Sequence, residues 1–181
     1  YDAALLFFTG WHIRRFTTEA ASGPAGRRPS IAVLIAAYNE SVDLPATIRA
    51  LITQSDPPDE IVIADDGSTD DTAAMLGTEF GFGVDGLGDR VLLGSVPVIW
   101  MRLPHAGKAH ALNAAVLQTT ADVVLTVDAD TLLDRAAVAA VRDAFAREPE
   151  LVGITGVITP KSRRTPVGRT LQFFQTYEYI R

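Results

Sequence analysis

Apolar runs of strand length recur along the chain, with helical spacing between them. Residues 31–37 (Ile-Ala-Val-Leu-Ile-Ala-Ala), 60–64 (Glu-Ile-Val-Ile-Ala), 96–101 (Val-Pro-Val-Ile-Trp-Met) and 123–127 (Val-Val-Leu-Thr-Val) are nearly continuous rather than alternating. Such runs belong to strands buried on both faces of a parallel sheet. Helices are predicted over about residues 44–53, 71–78, 108–118 and 133–147. Ser41 or Asp43 would cap the first, Ser68 or Thr69 the second and Asp134 the fourth. Leu112 and Val116 are expected in the core from the third helix, and Val138, Val141 and Phe145 share one face of the fourth. Pro97 predicts that its strand starts late or lies at a sheet edge. Residues 151–159 read as a further strand, weakened at Gly153 and Gly156. Residues 79–95 read as a glycine-rich surface excursion without phosphate-loop spacing. Strands alternating with helices give an α/β fold with an open, mostly parallel sheet flanked by helices.

The strand ends carry the chemistry. Tyr38-Asn39-Glu40, Asp65-Asp66 and Asp128-Ala129-Asp130 each follow an apolar run, and the carboxyl ends of parallel strands converge on the crevice where ligands bind. In extended chain, Asp128 and Asp130 point the same way. Two carboxylates so close repel unless a proton or a cation lies between them. A hard divalent cation that also holds a diphosphate is the economical answer. The structural alternative, Asp130 as a helix cap, is weaker because Asp134 stands closer to the helix. Asp70 and Asp71 suit the positive end of the second helix. Asp65 and Asp66 precede the Gly67 turn and have no such use, so at least one of them is expected to touch ligand. Gly107-Lys108 opens the third helix, where free N–H groups and a lysine suit an anion; the alternative is a solvated surface lysine.

Composition narrows the classes. The 181 residues have 48% hydrophobic content and net charge −6, so the chain is globular and has no broad basic face for nucleic acid. It has no cysteine, which excludes disulfides and thiolate metal sites, and its three histidines are too scattered for zinc. Residues 3–8 are apolar and are followed by Trp11, Arg14 and Arg15. They read equally as the tail of a membrane helix or as an amphipathic helix packed on the domain, being shorter than the ~20 residues a span takes. Residues 17–30 form a Gly/Pro/Ser linker. Residues 160–166 form a basic loop, and residues 167–181 a helix apolar on more than one side. The start at Tyr1 and the stop within a helix are read as a piece of a longer protein.

Four motifs in order carry a resemblance: Tyr38-Asn39-Glu40 after the first strand, Asp65-Asp66-Gly67-Ser68-Thr69-Asp70 after the second, Gly107-Lys108-Ala109-His110-Ala111-Leu112-Asn113, and Asp128-Ala129-Asp130. Over about residues 29–159 the chain resembles the inverting glycosyltransferases of family two, which have the GT-A, Rossmann-like fold, and most of all their membrane-bound, polysaccharide-synthase-like branch. The resemblance implies a nucleotide-sugar-binding domain at 31–160, a juxtamembrane N-terminal helix and linker at 1–30, and a basic loop and apolar helix at 161–181 leading to an acceptor-binding part. It implies a uridine pocket lined by Ala36, Tyr38 and Glu40, with Asp66 and Asp65 at the uracil or ribose. Lys108 would neutralise the diphosphate, Asn113 of the same motif would also bind the nucleotide-sugar, Asp128 would face the ribose or sugar, and Asp130, with Asp128, would hold Mg²⁺ or Mn²⁺. The implied donor is a UDP-sugar and the acceptor a saccharide or lipid-linked hydroxyl, at the cytoplasmic face of the cell membrane.

The chain departs from that family at the base. The family's Thr-Glu-Asp-type motif and the synthases' Gln-x-x-Arg-Trp are both missing, so the base is expected after residue 181. The alternative is a donor-binding module without transferase activity. A sugar-phosphate nucleotidylyltransferase is disfavoured because no Gly-rich loop follows the first strand, and a dehydrogenase because no Gly-x-Gly-x-x-Gly does.

Overall fold

The computed structural model describes residues 27–83, 87–148 and 150–156. The expectations for the N-terminal helix, most of the 17–30 linker, the 160–166 loop and the 167–181 helix lie outside them. The chain divides into two units after Pro149, and the fold described here is that of the first.

Five strands form one sheet in the order β3-β4-β2-β1-β5. They are β1 (Ile31–Ala37), β2 (Glu60–Asp65), β3 (Leu87–Leu93), β4 (Val96–Arg102) and β5 (Val123–Asp128). β1 pairs in parallel with β2 and β5, and β2 with β4; only β3 runs antiparallel, against β4. The helices are α1 (Leu44–Ile52), α2 (Thr72–Phe80), α3 (Lys108–Val116) and α4 (Ala137–Arg147). The odd-numbered side chains of β1, Val33 and Ile35, pack with Leu44, Ile48 and Leu51 of α1 and Met75 and Leu76 of α2. The even-numbered Ala32 and Leu34 pack with Ala111 and Ala115 of α3. This is the doubly covered sheet that unbroken apolar runs require. α4 closes the end of the first face, its Val138 against Ile31 and Val123 with Val141 and Phe145 beside it.

Several local expectations need correction. Residues 87–93 are a strand, not part of a loop. Gly94-Ser95 is a two-residue hairpin turn, with Gly94 at φ 64° and Leu93 paired to Val96. β4 is an interior strand despite Pro97. The proline pairs with Leu92 of β3, but pairing to β2 begins only at Val98, so the missing N–H costs no bond on that side. Among the described residues the edge strands are β3 and β5, and Val124, Thr126 and Asp128 of β5 are exposed. In α3 the buried positions are Ala111 and Ala115; Leu112 is half-buried and Val116 exposed. Two alanines let α3 lie close on the sheet, with Leu112 partly buried beside them and Val116 turned outward. α4 starts four residues later than predicted, and Asp134 instead accepts the Ala136 N–H in the turn before it. Neither Ser41 nor Asp43 caps α1 through its side chain. At α2, Asp70 rather than Ser68 or Thr69 accepts the first free N–H, that of Thr72. Leu151–Gly156 has no regular structure and Val152 is fully exposed; two glycines in six residues weaken a strand there. Among the described residues no helix is long and apolar enough to cross a membrane.

Candidate active site

The register of the sheet assembles the cleft. Ala36 lies beside Asp128 on one side and Ala64 on the other, and Ala37 beside Asp65. Alanine at the end of the central strand leaves open space between the exits of its neighbours. A cleft of about 280 Å³ occupies it. From β1 and the turn after it come Ala36, Ala37, Tyr38 and Glu40, from the β2 exit Asp66, from the start of α3 Lys108, and from β5 and its turn Asp128, Ala129 and Asp130.

The turn after β2 is braced to the turn after β1. Asn39, at φ 58°, a conformation asparagine tolerates, donates its N–H to Ser68 Oγ at 2.9 Å. Its Oδ1 accepts the N–H groups of Thr69 and Asp70 at 2.8 and 3.2 Å. Gly67, at φ 77°, lets the chain pass close beneath His105.

Asp65 and Asp66 have structural uses that their position before the turn did not reveal. Asp65 is fully buried and accepts the Ser68 N–H at 2.8 Å; it folds the turn and does not line the cleft. Its Oδ2 has no hydrogen-bond partner among the described residues. Asp66, 3% exposed, reaches the cleft from below. Its Oδ1 accepts the Ala106 N–H and its Oδ2 the Gly107 N–H, both at 2.8 Å, and His105 Nδ1 lies 2.8 Å from Oδ2. The Ala106 N–H, with that of Gly107 and the His105 ring, holds its carboxyl below the usual range against the opposing effect of burial. The N–H groups ahead of α3 are therefore spent on Asp66. Those of Lys108, Ala109 and His110 precede the first intrahelical bond, from the Ala111 N–H to Gly107 O, and are left for an anion.

The outer wall is acidic. Lys108 Nζ pairs with Asp128 Oδ1 at 2.5 Å, both side chains being 59% exposed. Asp130 has no ion-pair partner among the described residues. Burial pushes the Glu40 carboxyl up, helped by the negative charges of Asp130, Asp43, Asp70 and Asp128. Glu40, Asp66, Asp128 and Asp130 thus face one lysine, an excess of negative charge that suits a divalent cation. Among the described residues no group of three or more acidic or histidine side chains could cage an ion by itself. The donor set fits Mg²⁺ or Mn²⁺ held by one or two carboxylates and completed by ligand phosphates.

Asn113 stands apart. It is exposed on α3, five residues past Lys108 and turned away from the cleft by the helical period, and does not line it. Two residues of the site carry no periodic signal in the chain. Asn39 braces the two turns. His105 stacks on Tyr38 with ring centroids 4.3 Å apart and planes 26° apart.

This arrangement of sheet, turns and acidic strand ends matches known proteins. The family described as glycosyl transferase family 2 matches residues 32–180, and the chain belongs to it. Poly-beta-1,6-N-acetyl-D-glucosamine synthase from Staphylococcus epidermidis is 30% identical over 149 residues, which cover 82% of this chain and 32% of that protein. The synthase from Staphylococcus aureus strain COL is 29% identical over the same shares. The chain therefore spans about a third of the length of these relatives. Among solved structures, the mannosyltransferase PcManGT from Pyrobaculum calidifontis, in complex with GDP-Man and Mn²⁺, superposes with a TM-score of 0.57 at 25% identity, over 80% of this chain and 41% of that one. S. aureus TarS 1–349 in complex with UDP-GlcNAc does so with a TM-score of 0.53 at 17% identity, over 74% and 39%, a likeness of fold. The α/β fold is that of the GT-A glycosyltransferases.

Proposed function

We propose that the chain is the donor-binding part of a metal-dependent, inverting glycosyltransferase that takes a UDP-sugar and passes the sugar to a hydroxyl of a saccharide or lipid-linked acceptor. The observation that carries this reading is the cleft that joins Tyr38, Asp66, Lys108, Asp128 and Asp130 at the carboxyl ends of three parallel strands. Tyr38 offers a ring for a base to lie against. Asp66, ionised, accepts an N–H from the base or a ribose hydroxyl. The α3 amino end and Lys108 meet the diphosphate. Asp130 and Asp128 hold Mg²⁺ or Mn²⁺, which when bound offsets the charge growing on the leaving nucleoside diphosphate, worth several kcal/mol in rough terms. A metal is in keeping with the Mn²⁺ of the mannosyltransferase complex.

The acceptor hydroxyl must lose a proton to a base within hydrogen-bond reach. The four cleft carboxylates have other work on this reading: Asp66 is taken by its donors, Asp128 and Asp130 by the cation, and Glu40, in the turn that carries Tyr38, lines the uridine pocket. We therefore assign the base to the acceptor-binding part of a longer protein, after residue 181. Residues 3–15, apolar and then Trp11, Arg14 and Arg15, support membrane association with the domain on the cytoplasmic face.

Asp130→Asn tests the assignment. It keeps the side-chain shape and removes the charge, so calorimetry should show UDP affinity in Mn²⁺ falling at least tenfold, to about the affinity without metal. Unchanged metal-dependent affinity would refute the role of Asp130.

A further inference from the structure

We propose that His105 sets which nucleobase the cleft accepts: it fills the second acceptor site of Asp66 Oδ2, leaving the carboxylate one open site, on Oδ1. That site takes the single N–H of a uracil-type imide and refuses the two-point pairing of guanine. The inference rests on reading the cleft as a nucleotide-sugar site.

The argument is a count of lone pairs. An ionised carboxylate offers about four acceptor sites and no donor. In Asp66, Oδ1 spends one on the Ala106 N–H. Oδ2 spends one on the Gly107 N–H and one on His105 Nδ1. Nδ1 also lies 3.0 Å from the backbone carbonyl of Asp66. Both of its neighbours are acceptors, so Nδ1 carries the proton and shares it between them. The position is fixed from three sides. Tyr38 stacks on the ring. The Gly67 turn comes so close that a Cβ there would meet the His105 nitrogen at 2.9 Å. The two N–H groups that follow His105 are tied to the same carboxylate.

The bases differ in what they can offer this one site. Uracil presents one N–H between two carbonyls, and one open lone pair satisfies it. Guanine presents two parallel donors, N1–H and N2–H, which a carboxylate takes with one oxygen each. Here Oδ2 is full, so one guanine donor is left without a partner, a loss of about tenfold in affinity or more. Cytosine and adenine present a ring-nitrogen acceptor at the corresponding edge and meet the carboxylate with a lone pair. Asp66 is the group that touches the base, and His105 is a positioning residue that acts through it.

Calorimetry of UDP and GDP with the purified chain in Mn²⁺ tests this, with three variants. The unaltered chain should prefer UDP by about tenfold or more. His105→Ala opens Oδ2 and should lower the UDP/GDP ratio about tenfold. His105→Phe keeps a ring under Tyr38 without the donor and should lower the ratio equally, which covers the case in which the alanine variant folds poorly. His105→Asn returns an N–H donor without the ring and should restore the preference. A merely structural histidine would weaken both nucleotides together and leave the ratio unmoved; that result overturns the proposal, as does a phenylalanine variant with unaltered preference. An unaltered chain that binds GDP as tightly as UDP overturns it while the nucleotide-sugar reading stands. Binding of neither nucleotide overturns that reading and this inference with it.

Discussion

At Gly67 the backbone takes a φ of 77° while passing His105 and Leu103, where a Cβ would stand 2.9 Å from the His105 nitrogen and 3.1 Å from the Leu103 oxygen. Both obstacles are backbone, so neither can swing aside. Gly67→Ala should cost about 1–3 kcal/mol of stability, read from chemical denaturation. It should also weaken uridine binding, because Asp66 and His105 are placed by this turn; full stability and affinity in the variant would sink the argument. Residues of this kind mark how far a sequence can be read. Tyr38, Asp66, Lys108, Asp128 and Asp130 were legible as site candidates because they are polar groups at the ends of apolar runs or at a helix start. Asp65 shares that signal and yet turns inward to fold the turn. Asn113 follows only from the motif around it. The roles of His105 and Asn39 depend on contacts across about 40 and 30 residues of chain, which no local pattern announces.

Among the elements, α4 is the one tied down by charge. Arg142 is 4% exposed and donates to Asp56 Oδ2 and Asp59 Oδ2 at 2.7 Å, Pro29 O at 2.6 Å and Pro57 O at 2.8 Å. It joins α4 to the entries of β1 and β2, at the opposite edge of the sheet from the cleft. Arg142→Leu leaves two carboxylates and two carbonyls short of a donor and should cost about 3–5 kcal/mol. Burial works to raise the Asp59 carboxyl, but Arg142, the Ile31 N–H and Arg28 outweigh it, and its pKa lies below the ordinary value. The sign follows: folded Asp59 holds its proton less tightly than unfolded Asp59. Its contribution is complete above the unfolded pKa, about 3.9, and is lost as pH falls through the lower folded one. Denaturation across pH 3–7 should show stability falling below about pH 4, and Asp59→Asn should make that fall shallower while lowering stability at neutral pH. An unchanged acid slope would remove Asp59 from the account. The periodicity rules found β1, β2, α1 and β5 to within a residue or two, because apolar runs are local, whereas the side-chain caps were misplaced. They missed β3, whose first half is Leu-Gly-Asp-Arg and which packs by only one edge. They misjudged Pro97 because a proline's cost depends on which neighbour needs its N–H, and that is decided by sheet order.

In the molecule as a whole, the two faces of the sheet divide the work. α1, α2 and α4 cover one face with large apolar side chains, and α3 covers the other with alanines. The cleft opens at the β1 and β5 ends, where Ala36 of the α3 face meets Ala37 and Ala129 of the other, so both layers shape it. The cleft holds four carboxylates against one lysine, and the Glu40 carboxyl is pushed up by burial and by the charges around it, an excess of negative charge that a cation would offset. No group of three acidic or histidine ligands stands ready among the described residues, so a cation alone gains little. A diphosphate alone adds negative charge to a negative site. On the function proposed above, the two together would complete each other's coordination. Stability should therefore respond to the pair and hardly to either member. With Mn²⁺ saturating and UDP at 100 times its dissociation constant, the folded state should gain about 2.7 kcal/mol, seen as a rise in thermal midpoint, with small shifts for Mn²⁺ or UDP given singly. Asp130→Asn should abolish most of the joint shift. A rise with Mn²⁺ alone as large as that with both would mean that the ion binds a site of its own, and the cleft would not be a place where metal and diphosphate are held together.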